Sequence, residues 1–296
     1  MENNFPKSEE NMPPKTKETI HPNSSLEGVA REWLHSRLGD IEKRTGKDVL
    51  TIFGDIIPGV DVRVRMAIEG LQDRKETLLV ILDTSGGLVE EVRNIVQILR
   101  HNYPSVHFLI PVRAMSAGTV LALSGDKIYM DYFSRLGPID PQLQTSTGMV
   151  PALSYLRQYE RLIKRSKKGE FSNAEFVLLN KLDLAQLHQI ELAANLSVSL
   201  IKDWLTKYKF KNWKKSEDEK QKRAKEIAEA LNDHQKWYTH GSSIHKDILE
   251  RDLRLKIDDY SKNKNLKRAV WGYFWSLAEY TSKIAWSPFV HSRDFI

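Results

Sequence analysis

Leu78-Leu-Val-Ile-Leu-Asp-Thr-Ser-Gly-Gly-Leu88 is an apolar run that stops in a turn carrying two glycines. Further along, Val106–Pro111 is a second strand-like run. In Pro111-Val-Arg-Ala-Met-Ser-Ala-Gly-Thr-Val-Leu-Ala-Leu-Ser-Gly125 it breaks into a small-residue helix that begins at or near Ser116. Outward from this pair the same alternation continues. Asp48-Val-Leu-Thr-Ile-Phe-Gly54 has the β-branched content of a buried strand, and Lys127–Asp131 reads as a short one. Val62–Leu71 and Leu88–His101 carry helical spacing. Strand, helix, strand, helix predicts parallel βαβ units. In such sheets ligands bind beyond the carboxyl ends of the strands. Gly54-Asp55, Gly86-Gly87 and Met115-Ser116 all fall at those ends.

A serine on a strand-to-helix turn meets unpaired backbone N–H groups that favour negative charge. That suits an alkoxide-like nucleophile and a tetrahedral oxyanion. The Gly86-Gly87 turn can bring bare N–H groups to the same point, because glycine has no Cβ to obstruct the approach. The alternative is purely architectural: Ser116 caps a helix and the two glycines turn the chain.

Taken together, these phrases resemble the ClpP/crotonase-fold serine peptidases, and within them the SppA-like group that includes the serine dehydrogenase proteinases. Ile81-Leu-Asp-Thr-Ser-Gly-Gly87 is similar to the oxyanion-turn motif, and Ala114-Met-Ser-Ala-Gly118 to the nucleophile motif. Ala122-Leu-Ser-Gly-Asp-Lys-Ile128 and Phe133-Ser-Arg-Leu-Gly-Pro-Ile-Asp-Pro-Gln142 resemble the segments that follow, and Tyr238-Thr-His-Gly-Ser-Ser-Ile244 resembles a His-rich phrase of the same proteinases. The resemblance implies an α/β fold, a ClpP/crotonase-like parallel β-α superhelix with an added C-terminal helical region. It implies Ser116 as nucleophile, the N–H groups of Gly87 and Ala117 as oxyanion hole, and Gly86 beside the substrate. It also implies a homo-oligomer acting on peptides or unfolded proteins.

The base stays open. In ClpP a histidine falls in the segment aligned with Gly137–Gln142, where this chain has none and Asp140 is the nearest titratable residue. SppA enzymes use a lysine further along, and 164–181 offers Lys164, Lys167, Lys168 and Lys181. His240 and Lys168 are the leading candidates, with Lys127 a third by proximity in sequence. Two other functions remain: a scaffold that keeps the fold without turnover, and a crotonase-like enzyme on acyl-thioesters, which needs no nucleophilic serine.

The remaining sequence bounds these readings. Hydrophobic residues make up 41% of 296, enough for one large α/β core. With no cysteine, a thiolate nucleophile and a Cys-based zinc site are excluded. There is no P-loop and no His-Glu-x-x-His phrase, and neither cofactor nor metal is expected. The net charge of +6 is diffuse, concentrated in Arg161–Lys168 and Lys207–Lys225, and reads as solvated helix faces rather than a nucleic-acid surface. No run is long enough to span a membrane, and the first residues lack the apolar core of a secretory signal, so the expected location is the cytoplasm. The chain divides into a disordered arm over 1–26, a core over 27–150 holding nucleophile and oxyanion turn, and a mainly helical region over 151–296. Within these, 27–45 reads as an amphipathic helix through Val29, Trp33, Leu34, Leu38 and Ile41, and 132–150 as a loop beside the site. A helix begins near Ser243 as N-cap, and Trp204, Trp213 and Trp237 are core residues.

Overall fold

The protein is described by a computed structural model covering residues 26–145, 148–170 and 172–296. The arm expected over 1–26 lies, up to Ser25, outside the described residues. The chain runs through α1 (Leu26–Thr45), β1 (Asp48–Phe53), α2 (Val60–Glu69), β2 (Thr77–Asp83), α3 (Val89–Asn102) and β3 (Ser105–Ile110). It continues through β4 (Arg113–Ala114), α4 (Ala117–Ala122), β5 (Lys127–Met130), β6 (Arg135–Leu136) and a hairpin of β7 (Gln142–Thr145) and β8 (Gly148–Pro151). Helices α5 (Leu153–Lys167), α6 (Asn173–Leu179) and α7 (Leu184–Trp204) follow, and α7 ends in a π-helical turn, Leu205–Lys209. Then come α8 (Glu217–Asn232), α9 (His234–Trp237), β9 (Ile244–His245), α10 (Lys246–Arg251), β10 (Asp258–Asp259), α11 (Lys264–Ile284) and β11 (Phe289–His291).

The main sheet has the order β10-β5-β3-β2-β1-β11. All pairings are parallel except that of β11, which runs antiparallel along β1. Strand residues alternate between two cores, as the period of two requires. Leu50, Ile52, Leu78, Val80, Leu82, Val106 and Phe108 face the layer containing α2, α3 and α4. Val49, Leu79, Ile81 and Leu109 face the opposite layer, where Leu34, Leu38 and Ile41 of α1 meet Tyr273 and Leu277 of α11. Fully burying one such side chain contributes about 1.5–3 kcal/mol, so both faces of the sheet are held by apolar area. Helix α8 packs on α7 through Ala224, Ile227, Ala228 and Leu231.

Several sequence expectations are corrected here. Only part of the expected face of α1 is buried: Val29 is 56% and Trp33 54% exposed. The stretch 132–150 is not simply a loop; it supplies β6 and the β7–β8 hairpin. The helix near Ser243 begins instead at Lys246 with His245 as N-cap, because Ile244 and His245 are drawn into a strand with β6. Trp204 and Trp237 are buried, whereas Trp213 is 42% exposed. Two strands from beyond residue 150, β10 and β11, form the two edges of the main sheet. Among the described residues no helix is long and apolar enough to cross a membrane.

Candidate active site

The carboxyl ends of β1, β2 and β3 meet at the double-glycine turn. Thr84 pairs with Ala114: its N–H donates to Arg113 O at 3.1 Å and its carbonyl accepts from Met115 N–H at 3.1 Å. This short ladder fixes the approach to Ser116 against the approach to Gly86. On the other side, Ile56 N–H donates to Gly86 O at 2.8 Å, and Leu88 N–H donates to Ile56 O at 2.9 Å. Gly86 O and Leu88 N–H therefore point at Ile56, and the Gly87 N–H between them turns away. Among the described residues neither the Gly87 N–H nor the Ala117 N–H has an acceptor. Gly87 is exposed.

Both glycines are required by space. A Cβ on Gly86 would lie 2.9 Å from Ser116 Cβ, and one on Gly87 would lie 2.1 Å from Ile56 O. Gly86 is thus in van der Waals contact with the serine. Ser116 precedes α4 with φ 51° and ψ −118°, a strained conformation for a non-glycine residue, and makes no side-chain cap bond. Its hydroxyl is not occupied in capping, and the residue is half-buried. Helix α4 is only six residues long, so the negative-charge preference at its start comes from individual N–H groups more than from a long macrodipole.

The Thr119 hydroxyl clasps the next segment to α4. It accepts from Gly137 N–H at 2.9 Å and lies 2.7 Å from Ala114 O and 2.9 Å from Gly137 O, either of which can take its proton. Ile139 N–H then donates to Leu231 O at 3.0 Å, and Asp140 is left with no solvent exposure. Asp140 Oδ1 is 3.0 Å from His240 Nδ1, across 100 residues of sequence. A carboxylate only accepts, so Nδ1 carries the hydrogen and Nε2 is free to take a proton. Two anchors hold His240 from behind: Trp237 Nε1–H donates to Ala230 O of α8 at 2.7 Å, and β9 pairs antiparallel with β6.

His240 lines a cleft of about 420 Å³ together with Ser85, Met115 and Gly241, with Arg113 and Arg135 at its sides. Ser85 precedes the double glycine and Met115 precedes Ser116, so the histidine and both turns bound one space. Asp83 accepts the Arg113 N–H at 3.1 Å. Burial pushes its carboxyl up to about 6, against the Arg113 N–H bond and the Arg113 and Arg135 charges. Among the described residues no group of three or more His, Cys, Asp or Glu is arranged to hold a metal ion.

Ser116, Gly86, Gly87 and Ala117 are thus gathered at one end of the sheet, and His240 lines the cleft that Ser85 and Met115 also line. Lys168 does not: it is exposed at the C-terminal end of α5 and is not among the residues lining the cleft. Lys164, Lys167 and Lys181 are likewise exposed. Lys127 starts β5 and so belongs to the opposite edge of the parallel sheet. Sequence reasoning treated Asp140 only as a neighbour of a missing histidine; no local signal ties it to His240.

Two uncharacterized proteins of Methanocaldococcus jannaschii are similar: MJ0137 is 32% identical over 42% of this chain and 39% of its own length, and MJ1495 is 34% identical over 38% and 35%. The chain therefore matches well under half the length of these relatives. Among solved structures, a variant of the membrane-bound stomatin-specific protease 1510-N in complex with a substrate peptide aligns over 74% of this chain and 78% of its own, at 19% identity and a TM-score of 0.46. The model of the family described as ClpP-like SDH-type serine proteinase matches residues 61–264, a span that takes in the double-glycine turn, Ser116, Asp140 and His240. The chain belongs to the ClpP-like SDH-type serine proteinases.

Proposed function

We propose that the protein is a serine peptidase that cleaves peptides or unfolded proteins through an acyl-enzyme on Ser116, with His240 as its base and Asp140 as the group that orients His240. The observation that carries this is the bond between buried Asp140 and His240, with His240 lining a cleft together with Met115, the neighbour of Ser116. His240 Nε2 takes the hydroxyl proton as Ser116 Oγ attacks the peptide carbonyl carbon. The carbonyl electron pair moves onto oxygen, where the Gly87 and Ala117 N–H groups donate to it, each worth about 3 kcal/mol. Collapse expels the amine, which takes the proton from His240. Water then attacks the ester with His240 again as base, releasing the acid and restoring Ser116.

The test is labelling with a serine-directed fluorophosphonate. Wild type is expected to label, Ser116→Ala not at all, and His240→Ala and Asp140→Asn at least 100-fold more slowly. Undiminished labelling in His240→Ala removes the histidine, and wild type that never labels leaves the scaffold reading in its place.

We also propose a homo-oligomer. Phe176, Val177 and Leu178 of α6 and Leu184 and Leu192 of α7 are each more than half exposed. Exposed apolar side chains concentrated on these two helices suit an interaction face. Light scattering at micromolar protein should give a mass above one chain, and Phe176→Glu with Leu192→Glu should return it towards the monomer.

A further inference from the structure

The second large concavity has nothing to do with Ser116. It has a volume of about 520 Å³ and opens at the amino ends of β5 and β10, the sheet edge opposite the one that carries the nucleophile. Its floor is Asp126, Lys127 and Asp258. One wall is Lys209, Phe210 and Trp213, where the π-helical turn ends, and the other is Arg223, Arg254 and Lys256.

The charges in this cavity do not balance. Asp126 is already held by Arg100 and Lys211, each at 2.6 Å, and by the Val106 N–H at 2.9 Å. Arg223 is turned towards Glu226 and the carbonyl of Leu253. Among the described residues Lys127, Lys209, Arg254 and Lys256 have no ion pair and no side-chain hydrogen bond, and of the two carboxylates lining the cavity Asp258 is the one not already paired. Burial pulls Lys209 down to about 8, with the Lys256 and Lys127 charges adding to it and the Asp258 and Asp126 charges opposing it. Cations crowded into a concave site are a receptor for more than one negative charge. Arg254 is held with φ 46°, a conformation uncommon for its residue type, and the neighbouring π-helical turn is a form of helix often found at functional sites.

The aromatic wall narrows the ligand further. Phe210 and Trp213 rings are 5.5 Å apart and tilted, and Trp213, 42% exposed, lines the cavity with the cations. A cavity of this volume takes a small molecule, not a polymer groove. We infer that it binds a nucleoside di- or triphosphate, the phosphates between Lys209, Arg254 and Lys256 and the base against Trp213. The site is separate from the Ser116 cleft, so its occupancy is independent of whether Ser116 turns over.

The experiment is calorimetric titration of the full chain with ADP, inorganic pyrophosphate and adenosine in magnesium-free buffer. ADP is expected to bind at least tenfold tighter than either fragment. Lys256→Glu and Arg254→Ala, both at exposed positions, should weaken ADP and pyrophosphate at least tenfold with unchanged thermal melting. Trp213→Ala should weaken ADP and leave pyrophosphate alone. Absence of ADP binding at millimolar concentration overturns the inference, as does binding that the Lys256 and Arg254 variants do not alter. A single-stranded oligonucleotide that binds far tighter than ADP, with a steep salt dependence, overturns it in favour of a nucleic-acid surface.

Discussion

A methyl group on Gly87 has nowhere to go. It would meet a backbone oxygen, Ile56 O, at 2.1 Å, and the residue sits at φ 142°. Gly87→Ala must therefore break the Ile56 pairing that turns the Gly87 N–H away from the sheet. Gly59 provides the control: it has φ 92° but open space around its Cβ position. We expect Gly59→Ala to cost about 1 kcal/mol of backbone strain and leave fluorophosphonate labelling intact. Gly87→Ala should cost more and slow labelling by roughly 100-fold or beyond, as for loss of one oxyanion donor. Equal labelling in the two variants would detach the Gly87 N–H from the chemistry. These glycines and Ser116 are legible in the sequence because the demand they meet is local: positive φ and no Cβ are written in residue identity. The Asp140–His240 pair is not legible in that way. Its partners are 100 residues apart, and each alone looks like an ordinary polar residue in a turn. The lysines of 164–181 misdirect for the complementary reason, since a basic helix end has the right residue type and no place in the cleft.

Between the nucleophile and the acid stands a single hydroxyl. Thr119 lies on α4, one turn from Ser116, and its Oγ1 accepts the Gly137 N–H while facing two carbonyls, all of them buried. Thr119→Val keeps the shape and removes the partner. The Gly137 N–H and a carbonyl are then buried without a bond, which costs about 1–3 kcal/mol. The segment from β6 to Asp140 is expected to loosen, so labelling should slow even though Thr119 touches no reacting atom. Restoration by Thr119→Ser separates the hydroxyl from the methyl. If Thr119→Val melts lower yet labels at the wild-type rate, the clasp is structural alone. At this scale the long strands β1, β2 and β3 are readable as apolar runs, because each is buried on both faces. The two-residue strands are not: β6 exists only because β4 and β9 lie beside it, and β9 comes more than a hundred residues later. The same pairing explains why the helix after Ser243 starts late, since Ile244 and His245 are already committed to the sheet.

Taken as a whole, the molecule has its acid sensitivity built into the packing of its two cores. His291 is fully buried, with Nδ1 2.7 Å from Tyr273 Oη and Nε2 3.1 Å from His35 Nδ1, and burial together with His35 pulls it down to about 3. Burial and the Lys47 and Lys127 charges pull His107 down to about 4. Both histidines are neutral in the folded chain, while in the unfolded chain they protonate near 6.5. Their contribution is present above that pH and is lost as pH falls through the folded values. Asp83 acts in the opposite sense. Its folded value of about 6 lies above the unfolded one, so its contribution is complete below the unfolded value and lost as pH rises through 6. Between pH 6 and 4 the unfolded chain thus gains two histidine protons while the folded chain holds one on Asp83. For these three groups the difference of one proton contributes a loss of roughly 1.4 kcal/mol per pH unit on acidification, to which Glu219 and Asp259, both held at about 2, add as the pH nears 4. Asp83→Asn removes the opposing proton, and the slope should then steepen by roughly 1.4 kcal/mol per unit. Urea unfolding of wild type and Asp83→Asn at pH 6, 5 and 4 reads the change in slope. An unchanged slope in Asp83→Asn would mean that this carboxyl is ionised throughout this range, with the Arg113 N–H and the two arginine charges outweighing its burial.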